Sequence, residues 1–293
     1  MHEGQVDIDR ELVRRLIAQQ FPRWSDLPIE RFESTGTVNA IYRLGSDMYV
    51  RLPLIKGWAW HLKHEAKWLP RLRPHVPFEI PEVLGRGVPA DGYPFDWSVY
   101  RWIDGDTWSP DRIADERQAA LDLAAFLEAL RAIDTGDRRP SGMASITLHD
   151  MDGWIRESIE KARDLIDADR VTAAWEAALE LPAFDGPYSW VHADIGPDNL
   201  LIKDGRLSAV IDWGSVHVGD PVHDITAAWM FSPANRAVFR ELLQVDDPTW
   251  ARARAWCLRA VGAIDYYRES NPTMAKRSIA GLEAVLADLS SDG

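Results

Sequence analysis

Trp190-Val191-His192-Ala193-Asp194-Ile195-Gly196-Pro197-Asp198-Asn199-Leu200-Leu201-Ile202, with Val210-Ile211-Asp212-Trp213-Gly214 a short hairpin beyond it, is the stretch on which the reading of this chain turns. An apolar run enters a polar loop. The chain then reads as two strands joined at a Lys203-Asp204-Gly205-Arg206 turn, and the second strand opens onto another acidic loop. Asp194, Asn199 and Asp212 are hard oxygen donors. Asn199 and Asp212 lie at opposite ends of one hairpin, so they can share a Mg²⁺ ion, which usually takes one or two protein oxygens together with phosphates and water. Asp194, five residues before Asn199, would lie beside that metal and be left to accept a proton. One carboxylate to deprotonate a hydroxyl, with two metal ligands to neutralise phosphates, is the layout of phosphoryl transfer.

His192-x-Asp194-x4-Asn199 also matches the catalytic-loop spacing of kinases, and Asp212-Trp213-Gly214 stands where that signature carries Asp-Phe-Gly. A lone His-x-Asp is ordinary loop polarity; four fragments in the right order are not. The segment resembles the aminoglycoside phosphotransferase family, antibiotic and small-molecule kinases with a protein-kinase-like fold. In that family the loop usually reads His-Gly-Asp, then Asn, then Ile-Asp-Trp, then Gly-Asp-Pro-x-x-Asp. Gly219-Asp220-Pro221-Val222-His223-Asp224 fits the last element, while Ala193 stands where Gly is usual. Ala is the next smallest residue, so the loop is expected to survive provided it needs no positive φ there. The resemblance runs in order along nearly the whole chain, with its strong motifs within 190–224. It implies an α+β, protein-kinase-like bilobal fold. Residues 1–103 would form a nucleotide-binding lobe with a five-stranded antiparallel sheet plus helices, and 104–293 a mostly helical lobe for catalysis and the acceptor. It also implies that His192 and Asp220 hold the catalytic loop by hydrogen bonds.

The N-terminal part supplies the matching pieces. Asp9 to Ile17 has helical spacing. Ile29 to Leu44 reads as strand, turn, strand; in the resemblance the turn, with Thr35 and Gly36, covers the nucleotide. Asp47 to Pro53 is a third strand, with Arg51 where kinases carry a phosphate-touching Lys. Arginine stays charged and can grip phosphate in a fork. The helix Trp58 to Leu72 offers Glu65 as its partner, with Lys56 the alternative cation; His61 and His64 on that helix are a weak metal pair, since no carboxylate or Cys cluster accompanies them. Fourth and fifth strands lie at Glu82 to Gly87 and Asp96 to Ile103. Arg101, Trp102 and Ile103 would form the hinge whose backbone receives a purine, a mode that leaves ATP and GTP undistinguished. Beyond it, residues 110–133, Met151 to Ile166, 222–231, 233–244, 248–269 and 273–289 read as helices, several with Pro near the start.

Composition narrows the partners. A hydrophobic share of 46% with 27% charged residues describes an ordinary globular chain. Met1 to Asp7 has neither a basic start nor an apolar stretch, so no signal or transit peptide is expected, and no apolar run reaches membrane-spanning length. The single cysteine, Cys257, excludes an internal disulfide, and the cytoplasm is the expected compartment. A net charge of −13 argues against nucleic acid as a partner. Up to Ile103 there are 14 Lys and Arg against 13 Asp and Glu, and beyond it 19 against 33, so the acidity lies in the acceptor half. A cationic acceptor would be drawn to such a surface; solubility explains it equally well. Glu157, Glu160, Asp265 and Glu269 are the candidate acceptor carboxylates, each also readable as a solvated helix face. Monomer and dimer are not distinguished.

The expected activity is transfer of the γ-phosphate of ATP or GTP to a hydroxyl of an aminoglycoside-like or other antibiotic or metabolite. Asp194 would be the base and Asn199 and Asp212 the Mg²⁺ ligands. The alternatives are a non-catalytic nucleotide-binding pseudokinase and a kinase of a metabolite such as an amino alcohol. A protein kinase is disfavoured because Gly219-Asp220-Pro221 follows Asp212-Trp213-Gly214 almost at once, leaving no activation segment. A metal-dependent hydrolase using His192, His217, Asp220, His223 and Asp224, of which His217-x2-Asp220-x2-His223 could collect on one metal, is disfavoured because Pro221 interrupts any helix that would align them.

Overall fold

The computed structural model describes residues 5–33, 38–140 and 145–291. Packing divides the chain into two compact units: one runs to Ile113 and takes in Pro197–Val216, the other comprises Ala114–Gly196 and the chain from His217 onward.

In the first unit, helix α1 (Arg10–Gln20) begins where the Asp9 carboxylate accepts from the Leu12 N–H at 2.7 Å. Its spacing buries Leu12, Val13, Leu16 and Ile17 on one face, each such side chain contributing about 1.5–3 kcal/mol of apolar burial. That face shares a core with a five-stranded antiparallel sheet of β1 (Ile29–Phe32), β2 (Asn39–Leu44), β3 (Met48–Pro53), β4 (Val83–Gly87) and β5 (Trp97–Arg101), in the order β1-β2-β3-β5-β4. The sheet expected from the sequence is therefore present. On β3 the period of two sends Met48, Val50 and Leu52 into the core with α1. Tyr49 and Arg51 are left for the other face. Helix α2 (Trp60–Leu72) starts two residues later than its periodicity suggests, because Lys56–Trp58 forms a separate 3₁₀ turn.

Five further strands follow in the chain: β6 (Asp106–Thr107), β7 (Ser189–Val191), β8 (Leu200–Lys203), β9 (Arg206–Val210) and β10 (His217–Gly219). β6, β8 and β9 form a three-stranded sheet in the first unit, and β7 pairs antiparallel with β10 in the second. The β8–β9 turn has positive φ at Asp204 (52°) and Gly205 (77°), the twist-matched hairpin turn that an Asp-Gly pair favours.

The second unit is mostly helical: α3 (Glu116–Arg131), α4 (Asp152–Lys161), α5 (Ala168–Leu179), α6 (Val222–Ile225), α7 (Pro233–Leu242), α8 (Asp247–Cys257), α9 (Ala260–Tyr267) and α10 (Pro272–Ser291). Pro233 lies in the first turn of α7, and Asp246 caps α8 through the Thr249 N–H at 2.8 Å. The continuous helix expected over 248–269 is two helices, because the chain tightens to i→i+3 bonding around Leu258 and Arg259. The segment 222–231 likewise leaves α-geometry after α6 and continues as a 3₁₀ helix to Met230. α5 is an addition to the sequence reading, although Val171, Trp175 and Ala178 carry its buried spacing and Asp167 caps it. Among the described residues no helix is long and apolar enough to cross a membrane.

Candidate active site

The first unit gathers a chain of charges around β3. Arg51 is only 6% exposed. Its Nη1 donates to Glu65 Oε1 on α2 at 2.9 Å and its Nη2 to Asp212 Oδ1 at 2.7 Å. With the Asn39 amide turned so that its oxygen faces the guanidinium, that oxygen accepts from Nε and Nη2 at 3.1 Å. Tyr100 Oη donates to the other Glu65 oxygen at 2.5 Å. Glu65 is fully buried; burial pushes its pKa upward, and the adjoining guanidinium pulls against that. Arg51 itself is held firmly cationic by Asp212 and Glu65 against its own burial. A buried pair of this kind contributes more to placement than to stability, since desolvation offsets most of the attraction. What it places is the Asp212 carboxylate, whose side chain is 38% exposed.

Asp212 adopts a left-handed conformation, φ 60° and ψ 68°, which Asp tolerates better than most residues. The backbone after it is clamped by α2. A Cβ on Gly214 would meet His61 Nδ1 at 2.5 Å, so only glycine admits that approach. A His64 ring nitrogen lies 2.5 Å from the Val216 carbonyl oxygen. Burial lowers the His61 pKa to about 4, so the ring is neutral near pH 7. Both histidines thus position the acidic loop, and the metal pair contemplated for them is not what their contacts describe.

A cavity of about 370 Å³ opens beside these groups. Val38, Ile41, Leu201 and Ile211 give it apolar walls, and Trp102 and Ile103, just beyond β5, line it as well. Its polar end carries Arg51, Asp198, Asn199 and Asp212. The Arg101 and Trp102 N–H groups are bonded to the carbonyls of Glu82 and Asp47 at 2.9 and 2.8 Å. The backbone N–H groups of these two residues are therefore already engaged within the unit. The Arg101 side chain points elsewhere, pairing with Glu82 at 2.7 Å, and Lys56 lies exposed in its 3₁₀ turn, away from the cavity lining. Thr35 and Gly36 lie outside the described residues. An amide oxygen and a carboxylate, as Asn199 and Asp212 offer, suit a hard divalent cation, and both residues line the cavity.

In the second unit, β7 delivers the chain into the loop that carries Asp194. His192 is fully buried, and its Nδ1 accepts from the Asp194 N–H at 3.2 Å. Ala193 has φ 66°, so the condition under which Ala replaces Gly without strain is not met. The loop is held nonetheless. Asp224, on α6 and 1% exposed, accepts from the N–H groups of His192 at 2.8 Å and Ala193 at 2.7 Å. Burial pushes the Asp224 carboxyl up to about 6, against the opposing effect of these two N–H groups and of Arg131 at the end of α3. Asp220, four residues earlier, accepts instead from the Val222 N–H at 2.9 Å and from Arg252 Nε at 3.3 Å. It braces the turn from which Asp224 reaches the loop. The Asp194 side chain is exposed, and Arg259 is electrostatically coupled to it.

Residues 29–256 match the phosphotransferase enzyme family. The chain belongs to that family. Its phosphotransferase fold is shared with solved structures of low identity. The GDP and kanamycin complex of APH(2")-IIIa aligns with TM-score 0.71 at 21% identity, covering 94% of this chain and 98% of that one. The apoenzyme of macrolide 2'-phosphotransferase MphH from Brachybacterium faecium aligns with TM-score 0.63 at 19% identity, covering 93% and 97%. Among curated sequences, the uncharacterized protein YcbJ of Bacillus subtilis is 24% identical over 159 residues, a match spanning 53% of this chain and 50% of that protein.

In this phosphotransferase the hydrolase alternative finds no support in the contacts of its residues. Asp220 is engaged with Arg252, and His223 packs edge-on against Trp256 at 4.4 Å with its pKa lowered by burial to about 3. Among the described residues no three His, Cys, Asp or Glu side chains assemble as a metal set. Read from the sequence, Asn39 and Tyr100 carried no role, and Asp224 and the α2 histidines carried only metal-ligand readings that their contacts do not describe. Asp224 was signalled by its place in the Gly-Asp-Pro-x-x-Asp element; Tyr100 and Asn39 carry no local mark, since their partners lie on other strands and on α2.

Proposed function

We propose that this phosphotransferase moves the γ-phosphate of ATP or GTP to a hydroxyl of an antibiotic-like or other small metabolite. The observation that carries the reading is the cavity whose apolar slot ends at Arg51, Asn199 and Asp212. A planar base suits the slot, and phosphates suit the charged end. Asn199 and Asp212 would hold Mg²⁺, which when bound neutralises phosphate charge. Arg51 keeps Asp212 oriented and adds fixed positive charge. Asp194 accepts the proton of the acceptor hydroxyl as it attacks in line, while His192 and Asp224 fix the loop and Asp220 supports the turn behind it. Nucleotide handling is assigned to residues 1–103 together with the hairpin carrying Asn199 and Asp212, and acceptor binding to the helical remainder. The nucleotide and drug complexes among the fold neighbours support a nucleotide donor and a hydroxylated acceptor. A nucleotide donor and the lone cysteine fit a cytoplasmic enzyme.

The test is turnover with Mg²⁺, ATP and GTP in parallel against aminoglycosides, macrolides and amino alcohols, with Asp194→Asn as control. Acceptor-dependent nucleoside diphosphate formation that disappears in the variant is the expected result. Near-wild-type turnover in Asp194→Asn would remove Asp194 as the base, and absence of nucleotide binding would remove the whole reading.

A further inference from the structure

The helical unit contains its own cavity of about 370 Å³, within the range of roughly 300–1,000 Å³ usual for ligand sites. Ile146, Leu181, Phe184 and Trp256 supply much of its wall. Among the described residues lining it, the ionisable ones are Arg139, His149, Tyr188, Asp220, His223 and Arg252. Asp220 is the one carboxylate in that set, and it is spent on Arg252 Nε at 3.3 Å and the Val222 N–H at 2.9 Å. Arg252 is 7% exposed, bonded also to Thr249 Oγ1 at 3.1 Å and seated 5.2 Å from the Phe184 ring centre. The wall is apolar with a surplus of cationic groups, in a chain whose net charge is −13.

The acidic residues that would favour a polycation are elsewhere. Glu157 pairs with Lys161 at 2.7 Å, Glu160 with Arg163 at 2.7 Å and Asp265 with Arg268 at 3.7 Å, all on the surface and none lining the cavity. An ammonium group entering this cavity would lose hydration and find no available carboxylate among its described walls, an unfavourable exchange. Two of the cavity's wall residues, Trp256 and Asp220, connect through neighbours to the loop that carries Asp194 within this unit. Trp256, in its wall, carries Arg259 at 5.0 Å, and Arg259 is coupled to Asp194. Asp220 shares a turn with Asp224, which holds His192 and Ala193.

We infer that the acceptor is a predominantly apolar hydroxylated molecule carrying at most one positive charge, docked in this cavity, and not a polycation. The inference rests on the phosphotransferase reading and narrows its substrate class. The experiment pairs direct binding, by calorimetry on the full chain, with turnover in the presence of Mg²⁺ and ATP or GTP. The probes are a macrolactone polyol and kanamycin. Two variants accompany them: Ala183→Trp, which fills the cavity from its exposed rim, and Leu181→Asp, which adds a carboxylate to the wall. The macrolactone should bind the wild type and lose at least about tenfold in affinity in Ala183→Trp, with nucleotide binding unchanged. Leu181→Asp should weaken the macrolactone and strengthen kanamycin. Kanamycin binding with the macrolactone excluded, no binding of either, or indifference to Ala183→Trp would overturn the inference. Macrolactone binding that responds to both variants, without turnover of any acceptor, would uphold the cavity assignment while removing the phosphotransfer reading.

Discussion

Ala193 shows how a single backbone angle can decide the cost of a motif. At φ 66° a residue with a Cβ is strained, by about 1–2 kcal/mol in the left-handed region, and the two N–H groups bonded to Asp224 hold it there. Ala193→Gly relieves the strain but loosens the unfolded chain by roughly 0.5–1 kcal/mol. The variant should therefore be equal to or slightly more stable than the wild type in urea unfolding; a clear loss of stability would show that the angle is not strained. Asp224 makes a pH prediction with opposite signs for stability and activity. Its folded pKa of about 6 lies above the ordinary 3.8, so the folded state binds the proton more tightly. Its contribution to stability is full below about pH 4 and is lost as pH rises through about 6, a difference of up to roughly 3 kcal/mol. Activity should run the other way, because a protonated carboxyl cannot accept from both loop N–H groups. An acid limb in kcat near pH 6, without matching loss of stability, is the expected profile. Asp194→Asn belongs to this scale too: loss of a general base should lower turnover by about 10²–10⁴-fold and leave nucleotide affinity in place.

The element that organises the first unit is β3 against α2. Truncating one member of a buried ion pair leaves the other charge uncompensated, at a cost of about 3–5 kcal/mol. Arg51→Met should therefore unfold at much lower denaturant, because Glu65 stays buried beside it with only Tyr100 as a partner. The double variant Arg51→Met with Glu65→Leu should recover much of that stability and yet bind Mg-nucleotide poorly, since Asp212 has lost its 2.7 Å anchor. Recovery of both properties would show that the pair is structural only. The α2 histidines act in the same register. His61 fills the space against Gly214, and His64 reaches the Val216 carbonyl, so the helix fixes the backbone that follows Asp212.

For the whole molecule, ligand binding should appear as stability. A nucleotide at about 100 times its Kd adds about 2.7 kcal/mol, so Mg-ATP or Mg-GTP should raise the melting temperature of the wild type. Asp212→Asn should lose the Mg-dependent part of that shift, and a shift that ignores Mg²⁺ in the wild type would sink the assignment of Asn199 and Asp212. At this scale the excess of acidic residues beyond Ile103 reads equally as attraction for a cationic acceptor or as solubility, and of the four candidate carboxylates Glu157, Glu160 and Asp265 are taken up by ion pairs.

By itself the sequence determined whatever depends on neighbours along the chain. The alternation in 29–53 and 82–103, the Asp-Gly hairpin turn, the capped amphipathic helices and the ordered fragments of 190–224 were all legible, because period and turn chemistry act over a few residues. The same fragments named the family. Tertiary structure decided what depends on residues far apart. Arg51 meets Asp212 across 161 positions, and the backbone of Ala193 is held by a carboxylate 31 residues on. The hairpin carrying Asn199 and Asp212 packs with the N-terminal unit, whereas Asp194, three residues before that hairpin's unit begins, packs with the helices. The resemblance offered Glu65 as the partner of Arg51, and only the fold shows that the two meet at 2.9 Å with both side chains buried.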